Sequence, residues 1–386
     1  MPITTYGELK FGEEASLVYD RGTGMAYFKI GNDRIFDLRA ASVTGDFYKA
    51  DSQSVAFTRT DVDTVSIKAG TRVMMASGLI TVFDSATAVT MPSMTAGTDY
   101  AIYILDDGTL VASENFSAPT GYTTSDSRQI GGFHYAAGGN ATGFNTGGDT
   151  TPQINPYSLW DLKFRPACND PRGMALVAGS FWADIYLTGT DIDANGSSRN
   201  GVTIADGSAP PKVPTMFGGD GSTTYGSFTQ FEAIEVLSSV GKQLLTYDEF
   251  MVAAFGSSEE IDRGSDAITT GISTSNTGSS NSDESFTSIW GVMQSSGCMW
   301  VWSRDLNYRA DGADAAAITA FSWHDNAEGR GQIFSQGTSG LVAAFLGGRW
   351  DNGAPSGSRA SSWNNQPWFS GVGIGARGRC DHLCHT

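Results

Sequence analysis

Tyr100-Ala-Ile-Tyr-Ile-Leu105, then Asp106-Asp-Gly108, then Thr109-Leu-Val-Ala112: two apolar, β-prone runs flank an Asp-Gly dipeptide. Asp and Gly tolerate the left-handed backbone of a tight hairpin, so the stretch reads as two antiparallel strands. Upstream the same pattern recurs in Ser54-Val-Ala-Phe-Thr58, Thr64-Val-Ser-Ile-Lys68 and Leu79-Ile-Thr-Val-Phe83. Residues 49–166 therefore read as a β-sandwich. Nearer the N-terminus, Leu17-Val-Tyr19, Met25-Ala-Tyr-Phe-Lys-Ile30 and Arg34-Ile-Phe36 are separated by Asp20-Arg-Gly-Thr-Gly24 and Gly31-Asn-Asp33. Residues 1–48 are too few to bury both faces of such strands, so this unit is expected to pair with copies of itself or to lean on the next.

Downstream, Ala136–Thr151 is a Gly/Asn/Thr loop, and after Cys168-Asn-Asp-Pro171 helical signals enter. Phe231, Ile234, Leu237 and Val240 recur at helical spacing and stop at Gly241. Thr246-Tyr-Asp-Glu249 is a capping box that opens a second helix through Phe250, Ala253 and Ala254, ended by Gly256. Residues 264–285, rich in Gly, Ser, Thr and Asn, predict a mobile excursion with little to bury. The fold class expected is mainly β, with an α+β unit over residues 167–386.

The composition narrows the function. Of 386 residues 48 are Gly, 40% are hydrophobic and only 17% charged, which excludes long bundles and coiled coils. A formal charge of -17 repels a phosphate backbone, so no nucleic-acid partner is expected. No stretch approaches the roughly 20 apolar residues of a membrane span, and MPITTYGELKFGEE has neither the basic start nor the apolar core of a signal peptide, so neither membrane insertion nor secretion is expected. Four cysteines, at 168, 298, 380 and 384, are too few and too uneven for a disulfide scaffold and read as mostly reduced, in a chain made in a cytoplasm.

Chemistry-bearing residues are sparse. Cys380, His382, Cys384 and His385 include zinc-ligand types, but the run is terminal and compressed, so no metal is expected. His324-Asp325 lacks a nucleophile elbow. Gly218-Gly-Asp-Gly221 and Gly371-Val-Gly-Ile-Gly375 lack the context and the lysine of phosphate loops and read as turns and close-packed strands. Trp300 and Trp302 alternate as core residues on one strand face. Between Gly347 and Gly378 the sequence GGRWDNGAPSGSRASSWNNQPWFSGVGIGARG mixes Trp, Asn, Ser, Gly and Arg without a period, a composition like that of a paratope.

Several strings now fall in order. Met174-Ala-Leu-Val-Ala-Gly179 leading to Phe181-Trp-Ala-Asp184, Lys242–Phe250, Gly297-Cys-Met-Trp-Val-Trp302, Gly347-Gly-Arg-Trp350 and Gly375-Ala-Arg377 resemble the formylglycine-generating-enzyme branch of the C-type lectin fold. Ser54–Thr60, Thr95–Tyr103, Phe116-Ser-Ala-Pro-Thr-Gly-Tyr122, Gly131-Gly-Phe-His-Tyr135 and Cys380-Asp-His-Leu383 resemble the major tropism determinants of tropism-switching phages, over nearly the whole chain.

That resemblance implies a homotrimeric receptor-binding protein at the tip of a phage tail fibre, in the virion. Its units would be a β-prism-like N-terminal domain (1–48), a β-sandwich (49–166) and a C-type lectin domain (167–386). It also implies a bacterial surface receptor, a protein, and a retroelement that rewrites codons within about 347–378. Carried over, the diversified positions are Arg349, Asp351, Gly353 and Pro355; Ser362, Asn364 and Asn365; and Phe369, Gly371, Gly373 and Ile374. Asn364 and Asn365 match unedited, adenine-rich template codons. Gly347, Gly348, Trp350, Ser358, Arg359, Trp363, Gly375, Ala376 and Arg377 would be scaffold. The copper oxidase chemistry of formylglycine-generating enzymes needs a cysteine pair, and Ser356–Ser362 contains none, so neither enzymatic activity nor a cofactor is expected. The alternatives are a diversified ligand-binding protein of a bacterium or prophage, a fixed structural fibre or adhesion protein, and a degenerate enzyme relative that binds a small molecule.

Overall fold

The structure, a computed structural model, describes residues 6–11, 15–20, 25–30, 33–38, 47–272, 281–309, 323–325, 329–334 and 340–384. The chain opens with an antiparallel meander of Tyr6–Phe11, Ala15–Asp20, Met25–Ile30 and Asp33–Leu38. Three of these strands coincide with the alternating runs in the sequence. The first has no such signal and is placed by its pairing with Ala15–Asp20.

In the middle unit the Asp-Gly hairpin forms as its chemistry demands. Thr98–Leu105 pairs with Leu110–Ser113, Leu105 N donates to Thr109 O at 2.9 Å, and Gly108 sits at φ +84°. Thr98–Leu105 also pairs with Ser127–Ala136, so it is flanked on both sides. Tyr100, Ile102 and Ile104 face one core together with Phe57, Val65, Ile67, Val73 and Phe83 from two three-stranded sheets. Gly131 is required here, because a Cβ would lie 2.4 Å from the Phe57 ring. Phe47 and Tyr48, read as part of the first segment, pair with Thr71–Met74, and Phe47 is buried in this core.

The C-terminal unit carries two sheets. One has the order Phe164–Pro166, Gly378–Cys384, Phe181–Asp184, Met174–Val177, with Gln243–Leu244 also paired to Gly378–Cys384. The other runs Trp323–Asp325, Gln332–Phe334, Ser361–Asn365, Gly340–Leu346, Trp300–Arg309, Ile374–Gly375. The helices Gln230–Ser238 and Tyr247–Ala253 both begin with capping boxes, at Thr229/Glu232 and Thr246/Glu249. The first helix is rotated from its sequence reading. Gln230, Ala233, Val236 and Leu237 are buried, whereas Phe231 is 53% exposed and Ile234 40%. The apolar positions at 231, 234 and 237 share only Leu237 with the packed stripe.

The 264–285 tract buries more than its composition implies: Ala267 and Thr270 are inside, and Asp283 pairs with Arg263 at 2.6 Å. Residues 273–280 lie outside the described residues. The middle and C-terminal units are tied by His134, whose Nδ1 meets Asp99 and whose Nε2 meets Tyr186 OH, both at 2.9 Å. Gly173 N also donates to Asp99, at 2.9 Å.

Behind the first sheet a fully buried ion pair joins Lys242 Nζ to Asp184 Oδ1 at 2.6 Å, with Ser197 Oγ at 2.8 Å. Burial alone would lower the Lys242 pKa, but the Asp184 carboxylate overcomes it and holds the ammonium above its ordinary value. Removing one partner leaves the other charge buried and unpaired. Lys242→Met is therefore expected to cost about 3–5 kcal/mol, read as an earlier melting transition of the C-terminal unit in calorimetry.

Candidate functional site

Trp300 and Trp302 lie on one face of their strand and are both buried. Trp300 does more than fill a core, because its ring stacks on Trp323 at 6.2 Å with the planes 3° apart. Trp323 packs on Phe334 at 4.9 Å, and Phe345 lies 6.1 Å from Phe369. These aromatics floor an open groove of about 310 Å3. Its rim is polar: Arg349, Asn352, Ser362, Asn364 and Asn365 line it, together with Phe369 and Ile374. Along the rim Ser362 Oγ donates to Asn364 Oδ1 at 2.7 Å, and Asn365 Nδ2 donates to the same oxygen at 2.6 Å.

Six of the eleven positions carried over from the resemblance thus meet at one groove: Arg349, Ser362, Asn364, Asn365, Phe369 and Ile374. The others lie around it. Asp351 is exposed and clamps Arg349 through two bonds of 2.6 and 2.9 Å, while the guanidinium lies over the Trp350 ring at 5.4 Å. Gly353 sits in open space, its N–H bonded to Asp262 at 2.6 Å. Pro355 O accepts from Gln332 N at 2.9 Å, and Gly371 O accepts from Gly207 N at 3.1 Å. Gly373 is different: it is buried at φ +83°, its carbonyl accepts from Trp300 N at 2.9 Å, and a Cβ would lie 2.5 Å from the Trp350 ring. Its geometry calls for glycine, which fits a scaffold position better than a diversified one.

Trp323 and Phe334 do not stand out in the sequence. They reach the groove because Ile333 and Phe334 pair in parallel with Ser361 and Ser362, a contact that no local pattern encodes. Trp368, 60% exposed beside Phe369, is a further aromatic on this rim loop.

The scaffold positions hold the loops from below. Ser358 N and Oγ donate to Glu259 at 2.8 and 2.6 Å, and burial holds that carboxyl above its usual range. Tyr247 OH donates to Arg359 O at 2.9 Å, and its ring meets Trp363 edge-on at 6.0 Å.

The C-terminal Cys/His run is structural where it is described. Trp182 Nε1 donates to His382 Nδ1 at 3.0 Å, the imidazole packs on Phe164, and burial lowers its pKa. His385 lies outside the described residues, and among the described residues no group of three or more Cys, His, Asp or Glu side chains could hold a metal ion. Likewise, no helix among them is long and apolar enough to cross a membrane.

Residues 55–161 match the family model for the second domain of Mtd, the major tropism determinant. Over 338 residues, 87% of this chain and 84% of the relative, the sequence is 51% identical to a tail fiber receptor-binding protein of Bordetella phage BPP-1. The chain belongs to the major tropism determinant family. Solved structures agree with this along the whole length. The P3c variant of the major tropism determinant superposes with a TM-score of 0.83 at 48% identity, covering 97% of this chain and 96% of that one. The M1 variant gives 0.83 at 47% identity, covering 98% and 97%. The architecture is therefore mainly β, with the C-type lectin fold of this family in the C-terminal unit.

Of the three glycines carried over, Gly373 and Gly353 differ most in what a side chain would meet. Gly373→Ala is expected to lower the thermal stability of the C-terminal unit clearly, since it adds a clash to a left-handed backbone. Gly353→Ala, with nothing within 4 Å, is expected to cost only about 1 kcal/mol of backbone strain. Equal melting temperatures for the two variants would contradict this assignment.

Proposed function

We propose that this chain is a receptor-binding protein of a phage tail fibre and that the groove between Trp323, Ser362–Asn365 and Phe369 is where the receptor sits. The observation that carries this is the convergence of six rim positions on one aromatic floor. Rigid rings supply contact area at little entropic cost, and short Ser and Asn side chains adapt their hydrogen bonds, as in a paratope. The partner proposed is a protein on the bacterial surface, met by the chain as a homotrimer in the virion, without enzymatic chemistry. Three copies compensate for a rim with few strong anchors.

Diversification belongs to the same reading. Arg349, Asp351, Gly353, Pro355, Ser362, Asn364, Asn365, Phe369, Gly371 and Ile374 can change with the backbone held by the residues beneath. Deep sequencing of the 3′ end of the gene in a propagated population is expected to show substitutions at these codons, with Trp350, Trp363, Gly373 and Arg377 constant. An invariant end would turn the function into fixed adhesion.

The groove itself is tested by adsorption. Phe369→Ala and Trp323→Ala are each expected to weaken retention of the protein on host cells about tenfold or more, the size of a typical hot-spot loss, while melting stays close to the parent. Undiminished retention in both would move the receptor site elsewhere.

A further inference from the structure

Cys168 and Cys380 meet across the strand pair that closes the C-terminal unit. The ladder runs Phe164 opposite Cys384, Arg165 opposite Leu383 and Pro166 opposite His382. Ala167 N then donates to Asp381 O at 2.9 Å, so the register continues and sets Cys168 opposite Cys380. That bond makes Ala167 and Asp381 a hydrogen-bonded pair. Pro166, which has no N–H to give, sits in the alternate kind, and Cys168 shares its parity. In non-hydrogen-bonded pairs the Cα atoms lie about 4.5 Å apart and the side chains are closest, inside the roughly 4.4–6.8 Å that a disulfide spans.

The side chains follow the backbone. Their sulfurs lie 3.6 and 3.8 Å from the same Met174 Sδ, which makes the two thiols neighbours, and Cys168 Sγ also meets Asp170 O at 3.1 Å. The Lys242 ammonium favours a thiolate at this pair, while burial opposes it. Asp170, which Cys168 Sγ meets, also lines a cavity of about 20 Å3 with Ser197 and Lys242, room for a water-sized molecule. Cys298 lies in a different core cluster, and Cys384, at the edge of the cluster that holds Cys168 and Cys380, turns its Sγ to donate to Ser52 O at 3.0 Å.

We propose that Cys168 and Cys380 are a latent disulfide, closed by a peroxide-class oxidant, that ties the first strand of the C-terminal unit to its last. The Cys380 thiolate attacks one peroxide oxygen and the O–O bond breaks, giving a sulfenic acid and, after protonation, water. The Cys168 sulfur then attacks the sulfenic sulfur and expels hydroxide, which takes the Cys168 proton as a second water. Two thiols and one hydrogen peroxide thus become one disulfide and two waters. The staple would close a loop from residue 168 to residue 380, the long-loop case in which chain entropy predicts the largest gain.

Hydrogen peroxide treatment of the full chain, followed by alkylation and digestion without reduction, tests this. The expected result is a linked peptide pair carrying Cys168 and Cys380, an intact mass lower by two hydrogens, and a Tm raised by roughly 10 °C. Cys168→Ala should abolish all three, while Cys298→Ala and Cys384→Ala should keep them. If Cys168→Ala does not fold, the peptide map of the parent chain decides alone. Unlinked Cys168 and Cys380 peptides after oxidation, or a link through Cys298 or Cys384, would overturn the proposal.

Discussion

The guanidinium of Arg377 is the tie on which the C-terminal unit depends. It is fully buried and donates to four carbonyls, those of Asp184 and Ile185 at 2.9 and 2.8 Å and those of Met293 and Gln294 at 2.6 and 3.1 Å. Burial pulls its pKa down to about 10, which still leaves it charged at neutral pH. Only a planar, multiply donating cation can satisfy two chain segments at once, so lysine could not replace it. Arg377 immediately precedes the strand Gly378–Cys384, which three other strands flank; its anchoring therefore fixes the first sheet. The same strand sends Arg379 to Glu249, the capping-box residue of the helix Tyr247–Ala253. Tyr247 on that helix then holds the loop at Arg359.

This chain of contacts reaches the loops of the groove from below. The loops are held by backbone carbonyls and by the buried pair Ser358–Glu259, none of which lines the cavity. Among the rim side chains, Ile374 is also part of the buried core and Asn352 caps the backbone at Arg349, whereas the Ser362, Asn364 and Asn365 side chains hydrogen-bond one another. Where a nominal rim position does enter the framework, as at Gly373, the structure withdraws its freedom: the carbonyl is committed to Trp300 and the Cβ space to Trp350.

How much of this was legible in the sequence follows from how local each feature is. The Asp106–Gly108 hairpin and the Thr246–Glu249 capping box depend on residues within a few positions, and both form as their local chemistry dictates. The burial face of Gln230–Ser238 depends on what packs against it; Trp302 Nε1 bonds Phe228 O just ahead of the helix, and the period alone set the face wrongly. The groove was half legible. Composition between Gly347 and Gly378 marked the rim, but the floor needed Trp323 and Phe334, supplied by a parallel pairing between distant segments. Cys168 and Cys380 were invisible as a pair for the same reason, since only strand register joins them.

The electrostatics of the rim complete the argument about how it binds. With a net charge of -17 the chain repels an anionic cell surface at long range, so association must rest on short-range contacts. Among the described residues the one cation lining the groove is Arg349, held by Asp351 in a two-bond clamp and by the face of Trp350. Any other carboxylate would have to displace that clamp to reach the guanidinium. The burden falls on the aromatic surface and on the neutral Ser and Asn donors, which lose little on desolvation. On such a surface shape complementarity, not charge, sets what can dock.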